Sequence, residues 1–220
     1  MSRVIETTPP IVELESADRR RGKSAVTRRL LIEATIEAIA NGGLQQTTLD
    51  RVSEISGLSR GLVGFHFRTK DKLLVTTLQY LTEEYCRGWQ EILSRPGSPP
   101  ERRIRALIDF DLGPLVCTPT RVAVWFAFWG AVQHRPAYRR YCAPWEEANV
   151  VAIGSELERL VQEGGYSGVD AQRIAQGYAA LIIGLWQQFN AMPERFDHAR
   201  AKGICLGYLA SVFPRHFREA

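Results

Sequence analysis

The stretch TTLDRVSEISGLSRGLVGFHFRTKDKLL, residues 47–74, decides the fold of this 220-residue chain. Thr47 or Thr48 can cap a short helix, with Asp50 in its first turn where the helix dipole favours an acid. That helix runs to about Ser56 and ends at Gly57, a residue that readily takes the left-handed geometry of a helix C-terminus. Ser59 caps a second short helix, to about Phe65, and Thr69 caps a third, with Asp71 in its first turn. Val52 and Ile55 face inward on the first helix, and Leu58 and Leu62 close the core against the second. Two short helices joined by Gly57-Leu58-Ser59 have the proportions of a helix-turn-helix, whose second helix enters the DNA major groove.

Helical patterning extends in both directions. Upstream, Leu30, Leu31, Ala34 and Ala38 recur at helical spacing between about 25 and 41, and Gly42-Gly43 stops the run. Residues 1–18 mix prolines, acids and small polar residues without period and read as a disordered leader. Between them lies a basic block of Arg19, Arg20, Arg21, Lys23, Arg28 and Arg29 with no acid, the pattern of a phosphate-seeking arm or of a solvated tail.

Downstream, Leu74, Leu78, Leu81, Tyr85 and Trp89 form one apolar stripe that ends before Pro96-Gly97-Ser98-Pro99-Pro100. Further helices are expected over 101–112, 119–133, 136–163 (with a break near Pro144), 168–191 and 197–213. No stretch alternates as a strand does. The chain therefore reads as all-α: a leader over 1–18, a helix-turn-helix domain with its basic arm over 19–72, and a second helical domain over 73–220.

Composition excludes several classes. With 45% hydrophobic and 24% charged residues the chain suits a globular fold. No apolar run approaches the ~18–20 residues that span a bilayer, and the acids Glu6, Glu13, Glu15 and Asp18 leave no apolar core for a signal peptide. A cytoplasmic protein is expected. Cys86, Cys117, Cys142 and Cys205 are scattered, as are His66, His134, His198 and His216. They match no metal-binding or nucleophile motif, so no metal, cofactor or catalytic residue is expected.

The 47–74 segment resembles the DNA-binding signature of TetR-family transcriptional repressors. Thr47-Thr48, Gly57–Ser59, Gly61, His66-Phe67 and Lys70–Leu73 carry the likeness. The family usually has Tyr where this chain has His66, and often Tyr at Gly64. Gly64 is unfavourable in a helix but leaves room for close approach of the backbone to DNA. The resemblance implies binding to a double-stranded operator. By their chemistry, Thr48, Ser59, His66 and Lys70 are assigned to phosphates, with Lys72 beside them. Gly61 admits the backbone to the phosphate, and Arg60 reads guanine or contacts a phosphate.

The resemblance further implies a small-molecule effector in the C-terminal part and a homodimer through the last two helices. The stripe Ile174, Tyr178, Leu181, Leu185 and Phe189, widened by Ala175, Ile182 and Trp186, suits such an interface or an internal core. Gly203 and Gly207 allow close packing on the last helix. The segment VWFAFWGAVQHRPAYRR (124–140), with AALIIGLW (179–186), is similar to the choline-responsive, BetI-like branch. Trp125, Phe128, Trp129, Tyr178 and Trp186 are its candidate ligand residues, since aromatic faces attract quaternary ammonium groups; plain core packing is the alternative. That branch tends to carry an acid where this chain has Ile183; Asp109, Asp111 or Glu146 can supply the charge instead, and choline, a related amine and a neutral apolar molecule all stay open as the ligand. The function expected is that of a ligand-released repressor. Its rival is a helical protein-interaction module built on the aromatic cluster without specific DNA binding.

Overall fold

The computed structural model describes residues 11–217, with side chains from Gly22 onward. All regular structure among them is helical, as expected. The reading head holds α1 (Ile11–Gln46), α2 (Leu49–Ser56) and α3 (Arg60–His66). Next come α4 (Lys70–Leu93), α5 (Pro100–Asp111), α6 (Pro119–Ala131) and α7 (Pro136–Gly164). The chain ends with α8 (Ala171–Ala191), α9 (His198–Val212) and the short α10 (Pro214–Phe217). Single 3₁₀ turns at Val132–His134 and Pro193–Arg195 link α6 to α7 and α8 to α9.

The caps do what the sequence requires of them. The hydroxyls of Thr48, Ser59 and Thr69 accept from the backbone N–H of Arg51 (3.0 Å), Leu62 (3.3 Å) and Lys72 (3.1 Å). Each satisfies one of the N–H groups that a helix start leaves without a partner. Gly57 ends α2 at φ 68°, ψ 10°, and Gly43 interrupts α1 at φ 69°, ψ 175°. Both positions lie where a Cβ is strained.

Two expectations need correction. Residues 11–18, placed in the disordered leader, belong to α1; residues 1–10 lie outside the described residues. No Pro or Gly falls between 11 and 21, and Glu13, Glu15 and Asp18 suit the positive end of a helix dipole. Pro144 does not break α7. Its ring and the preceding Arg140 are exposed, so water can serve the carbonyl whose helical partner is missing, and the opposite face keeps the helix packed.

The core is continuous from head to body. Leu31, Ile32, Ile39, Val52, Val63 and Phe67 are buried in the head, where Phe67 is 1% exposed and carries the Arg28 guanidinium of α1 over its ring at 5.6 Å. Burying a side chain of that size stabilises the fold by about 1.5–3 kcal/mol. Helix α1 packs along α6, and α4 runs from the head into the body against α5 and α7. The body closes with α8 on α6 and α7, and α9 on α8 and α5.

Candidate functional site

Two regions concentrate polar chemistry: the outer face of α2 and α3, and a cavity inside the body. On the head, Thr48, Ser59, Arg60 and Gly61 are exposed. The two hydroxyls use acceptor capacity for their caps, which leaves each O–H free to donate. Arg60 pairs through its Nε with Asp50 of α2, and its guanidinium lies beside Gly64, where an added Cβ would sit 3.6 Å away. Nothing lies within 4 Å of a Cβ at Gly61. The outward face of α3 is therefore paved by two glycines, with Arg60 at one end.

At the other end stands Phe65, 78% exposed, the most exposed large apolar side chain among the described residues. Sequence reading missed it. The available signal was an aromatic placed between inward-facing Val63 and Phe67, on neither of their sides of the helix. His66 is half-buried, its ring edge-on to Phe65 at 5.4 Å. Lys70 donates to the carbonyl of Gln45 at 2.6 Å, tying α4 to the end of α1 with two N–H donors to spare. Burial, then the charge of Arg135, lowers its pKa. Lys23, Arg28 and Arg29 of the basic block are exposed; the side chains of Arg19, Arg20 and Arg21 lie outside the described residues.

The cavity, about 320 Å³, is walled by α4, α6, α7 and α8 and floored by the end of α5. That volume sits at the low end for small-molecule sites. Trp125 stacks on Trp129 at 5.9 Å and Trp129 on Trp186 at 6.2 Å. Tyr85 stands edge-on to Trp125 and Trp186. Asp111, 2% exposed, lies at the base. Its carboxylate accepts from the Tyr85 hydroxyl at 2.9 Å and the Tyr178 hydroxyl at 2.8 Å, and its backbone carbonyl accepts from the Trp186 indole at 2.8 Å. Burial lifts the Asp111 carboxyl to about 7, against the two hydroxyl donors, which favour the ionised form.

Of the sequence-derived ligand candidates, Trp125, Trp129, Tyr178 and Trp186 line this cavity. Phe128 does not. It is fully buried with its ring edge-on to Tyr138 at 5.1 Å, because the i, i+3 step from Trp125 turns it toward α7. Among the carboxylates, Asp111 lies inside, exposed Glu146 lines the cavity beside Trp145, and Asp109 pairs with Lys202 at 2.6 Å outside it.

Most of the stripe on α8 is core: Ala175, Tyr178, Ile182, Leu185, Trp186 and Phe189 are buried within the chain, while Ile174 and Leu181 are half-buried. The uncovered apolar surface of the last long helices is instead Ala180 and Ile183 on α8 and Gly203, Ile204 and Gly207 on α9. No helix among the described residues is long and apolar enough to cross a membrane.

Comparison with known proteins agrees with both regions. Residues 31–76 match the family of bacterial regulatory proteins, tetR family, and residues 100–214 match the C-terminal domain of BetI-type transcriptional repressors. The HTH-type transcriptional regulator BetI 1 of Chromohalobacter salexigens is 27% identical over 210 residues, covering 90% of this chain and 96% of that one. BetI of Escherichia coli K12 is 27% identical over 198 residues, covering 88% and 97%. A crystal structure of a putative transcriptional regulator from Pseudomonas aeruginosa PAO1 superposes with a TM-score of 0.73 at 26% identity, covering 87% of this chain and 93% of that one.

Proposed function

The chain belongs to the tetR family of bacterial regulatory proteins and carries a BetI-type C-terminal domain, and from that premise we propose that it is a repressor whose hold on its operator is released by a small organic cation. DNA binding and transcriptional control come with the family. The finer statements rest on the two regions described above.

One observation carries the choice of effector. Among the described residues, a carboxylate buried beside three stacked indoles has no cationic partner, and tyrosine hydroxyls are its only side-chain donors. An uncompensated buried charge is costly, and a permanent cation held against aromatic faces removes that cost. Choline is the first cation to test. Asp111, at the end of α5, takes the place of the acid that the choline-responsive branch tends to carry where this chain has Ile183 on α8.

On the DNA side, Thr48, Ser59, His66 and Lys70 hold phosphates, Gly61 admits the backbone, and Arg60 reads a guanine once it leaves Asp50. Phe65 joins them as an apolar contact for a thymine methyl group. Residues 19–72 form the reading head and 73–220 the effector-binding and dimerisation part. A second copy packs on the open faces of α8 and α9, which places two heads on half-sites about 34–36 Å apart, or multiples of that. A protein with this role works in the cytoplasm, where the operator lies.

Binding to a labelled fragment from upstream of the protein's own gene tests the reading. Tight binding that outcompetes random DNA, weakened about 5–150-fold by choline, is the expected result. A dimer whose DNA affinity ignores choline and related quaternary amines would sink it.

A further inference from the structure

In the cavity wall, two buried polar atoms lack a strong hydrogen-bond partner: Nδ2 of Asn149, and Oγ1 of Thr82, which lies beside the weakly bonding thiol of Cys142. Thr82 is 5% exposed and Asn149 8%. Groups this deep are nearly always paired. Thr82 shares the lack of a backbone bond with Thr76, which lies outside the cavity, and differs in this from the other buried threonines. Thr77, on the same helix, donates to the carbonyl of Leu73 at 3.0 Å, and Thr35 to that of Leu31 at 2.7 Å. Thr82 makes no such bond, and its hydroxyl has only the Cys142 thiol beside it, a weak partner that a ligand oxygen can replace. The remaining unpartnered buried side-chain atoms belong to Thr76, Trp89, Arg103 and Tyr138, none of which lines this cavity.

Thr82 comes from α4 and Asn149 from α7, whereas Asp111 and the indoles come from α5, α6 and α8. The cavity thus has two chemically distinct walls. One offers a carboxylate and aromatic faces. The other offers an amide N–H and a hydroxyl among Cys86, Cys142 and Val150. Both unpaired groups can donate, and an oxygen is the acceptor that answers both.

We infer that Thr82 and Asn149 form a second, polar subsite that takes an oxygen borne by the cationic ligand, so that the protein selects cations with a hydroxyl or carbonyl oxygen over purely alkylated ones. The inference rests on the cation reading of the Asp111 wall and adds the residues that recognise the other end. A ligand lacking the oxygen leaves the amide and hydroxyl desolvated and unpaired, which is the situation in which a polar site discriminates most strongly.

Calorimetric titration of the full-length protein with choline and with n-propyltrimethylammonium, in which a methyl group replaces the hydroxyl, tests the assignment. The wild-type protein is expected to bind choline at least tenfold more tightly. Thr82→Val and Asn149→Leu should each weaken choline about tenfold and leave n-propyltrimethylammonium within threefold. Thr82→Ser, which keeps the hydroxyl, should retain most of the preference even if Asn149→Leu fails to fold. Equal binding of the two cations by wild-type protein, or equal loss of both in Thr82→Val, overturns the subsite and leaves the cation wall intact. Binding of neither cation by protein that still holds its operator overturns the cation reading, and the subsite with it.

Discussion

Arg135 and Asp71 meet at 2.6 Å across the seam between the effector-binding body and the reading head. Arg135 follows the 3₁₀ turn at the end of α6, the helix that carries Trp125 and Trp129, and stands at the start of α7. Asp71 lies in the first turn of α4, shortly after the end of α3. The pair is 42% and 73% exposed, so it adds no more than about 1 kcal/mol to stability. Its position makes it a linker between cavity and head.

Arg135→Gln is therefore expected to change the melting temperature by less than about 2 °C and to leave operator affinity without effector within about threefold. The release of DNA by choline should shrink by up to about fivefold, since a contact worth no more than about 1 kcal/mol can carry no more coupling than that. Gel-shift titrations with and without choline measure this. Undiminished release by choline would show that the seam transmits through packing of α1 on α6 alone.

The buried carboxyl gives a pH signature. Asp111 has a carboxyl raised from 3.8 to about 7 by burial. Between those values the folded protein holds a proton that the unfolded chain has lost. Stability consequently falls as pH rises from about 4 to about 7, by up to about 4 kcal/mol, and levels off above. Asp111→Asn removes this slope, although one tyrosine hydroxyl then loses its acceptor. The difference in melting temperature between variant and wild type should move in the variant's favour as pH rises from 5 to 8.

Effector binding should run the other way. A cation needs the carboxylate, so choline affinity rises with pH up to about 7–8 and binding at pH 6 releases close to one proton. Calorimetry in buffers of different ionisation enthalpy reads the proton count. The Asp111→Asn variant should bind at least tenfold more weakly, with no pH dependence. Proton-neutral binding at pH 6 by the wild type would contradict an ionic contact at this residue.

On the reading head, Arg60→Ala should cost about 1–3 kcal/mol on the operator and relax the sequence preference at one base pair per half-site. Phe65→Ala should weaken operator binding several-fold while leaving random DNA unaffected. Deoxyuridine in place of thymidine, scanned through the operator, should weaken wild-type binding at one position per half-site and leave Phe65→Ala indifferent there. An operator tolerant of deoxyuridine throughout would remove Phe65 from base reading.

A buried ion pair holds α5 to α7. Arg103 donates to both carboxylate oxygens of Glu156, at 3.0 and 3.1 Å, with side chains 13% and 8% exposed. Glu156→Ala strands the guanidinium in that setting and should cost about 3–5 kcal/mol, roughly 10 °C in melting temperature. Thermal denaturation checks it, and a loss no larger than that of an exposed pair such as Arg51–Glu54 would show that water reaches the site.

Legibility in the sequence followed locality. Thr48, Ser59 and Thr69 announce their helices because capping is decided within three residues, and Gly57 announces the turn because one backbone angle demands it. The cavity residues could be gathered only in part. Trp125 and Trp129 share a helical face, which periodicity reveals; Phe128 shares it almost as well but meets Tyr138 on α7, which periodicity cannot see. Asp111, Asp109 and Glu146 were equivalent as letters. Their separation into base, outer pair and cavity rim came from the packing of α5 against α8 and α9. Thr82 and Asn149 gave no signal at all, being single polar residues within helices whose partners are distant in the chain. The stripe on α8 suited a subunit interface better than an internal core, yet most of it is buried within the chain, and only Ile174 and Leu181 are half-buried.

The indole arrangement has an optical consequence. Four of the chain's five tryptophans, Trp125, Trp129, Trp145 and Trp186, line the cavity, and only Trp89 lies elsewhere. The intrinsic emission of this protein is therefore very largely the emission of its cavity. Three of those rings stack in series, Trp125 on Trp129 and Trp129 on Trp186 at about 6 Å each, close enough for neighbours to share excitation, so a molecule settling against one is reported by its neighbours too. The repressor carries its own gauge of occupancy, readable without a label.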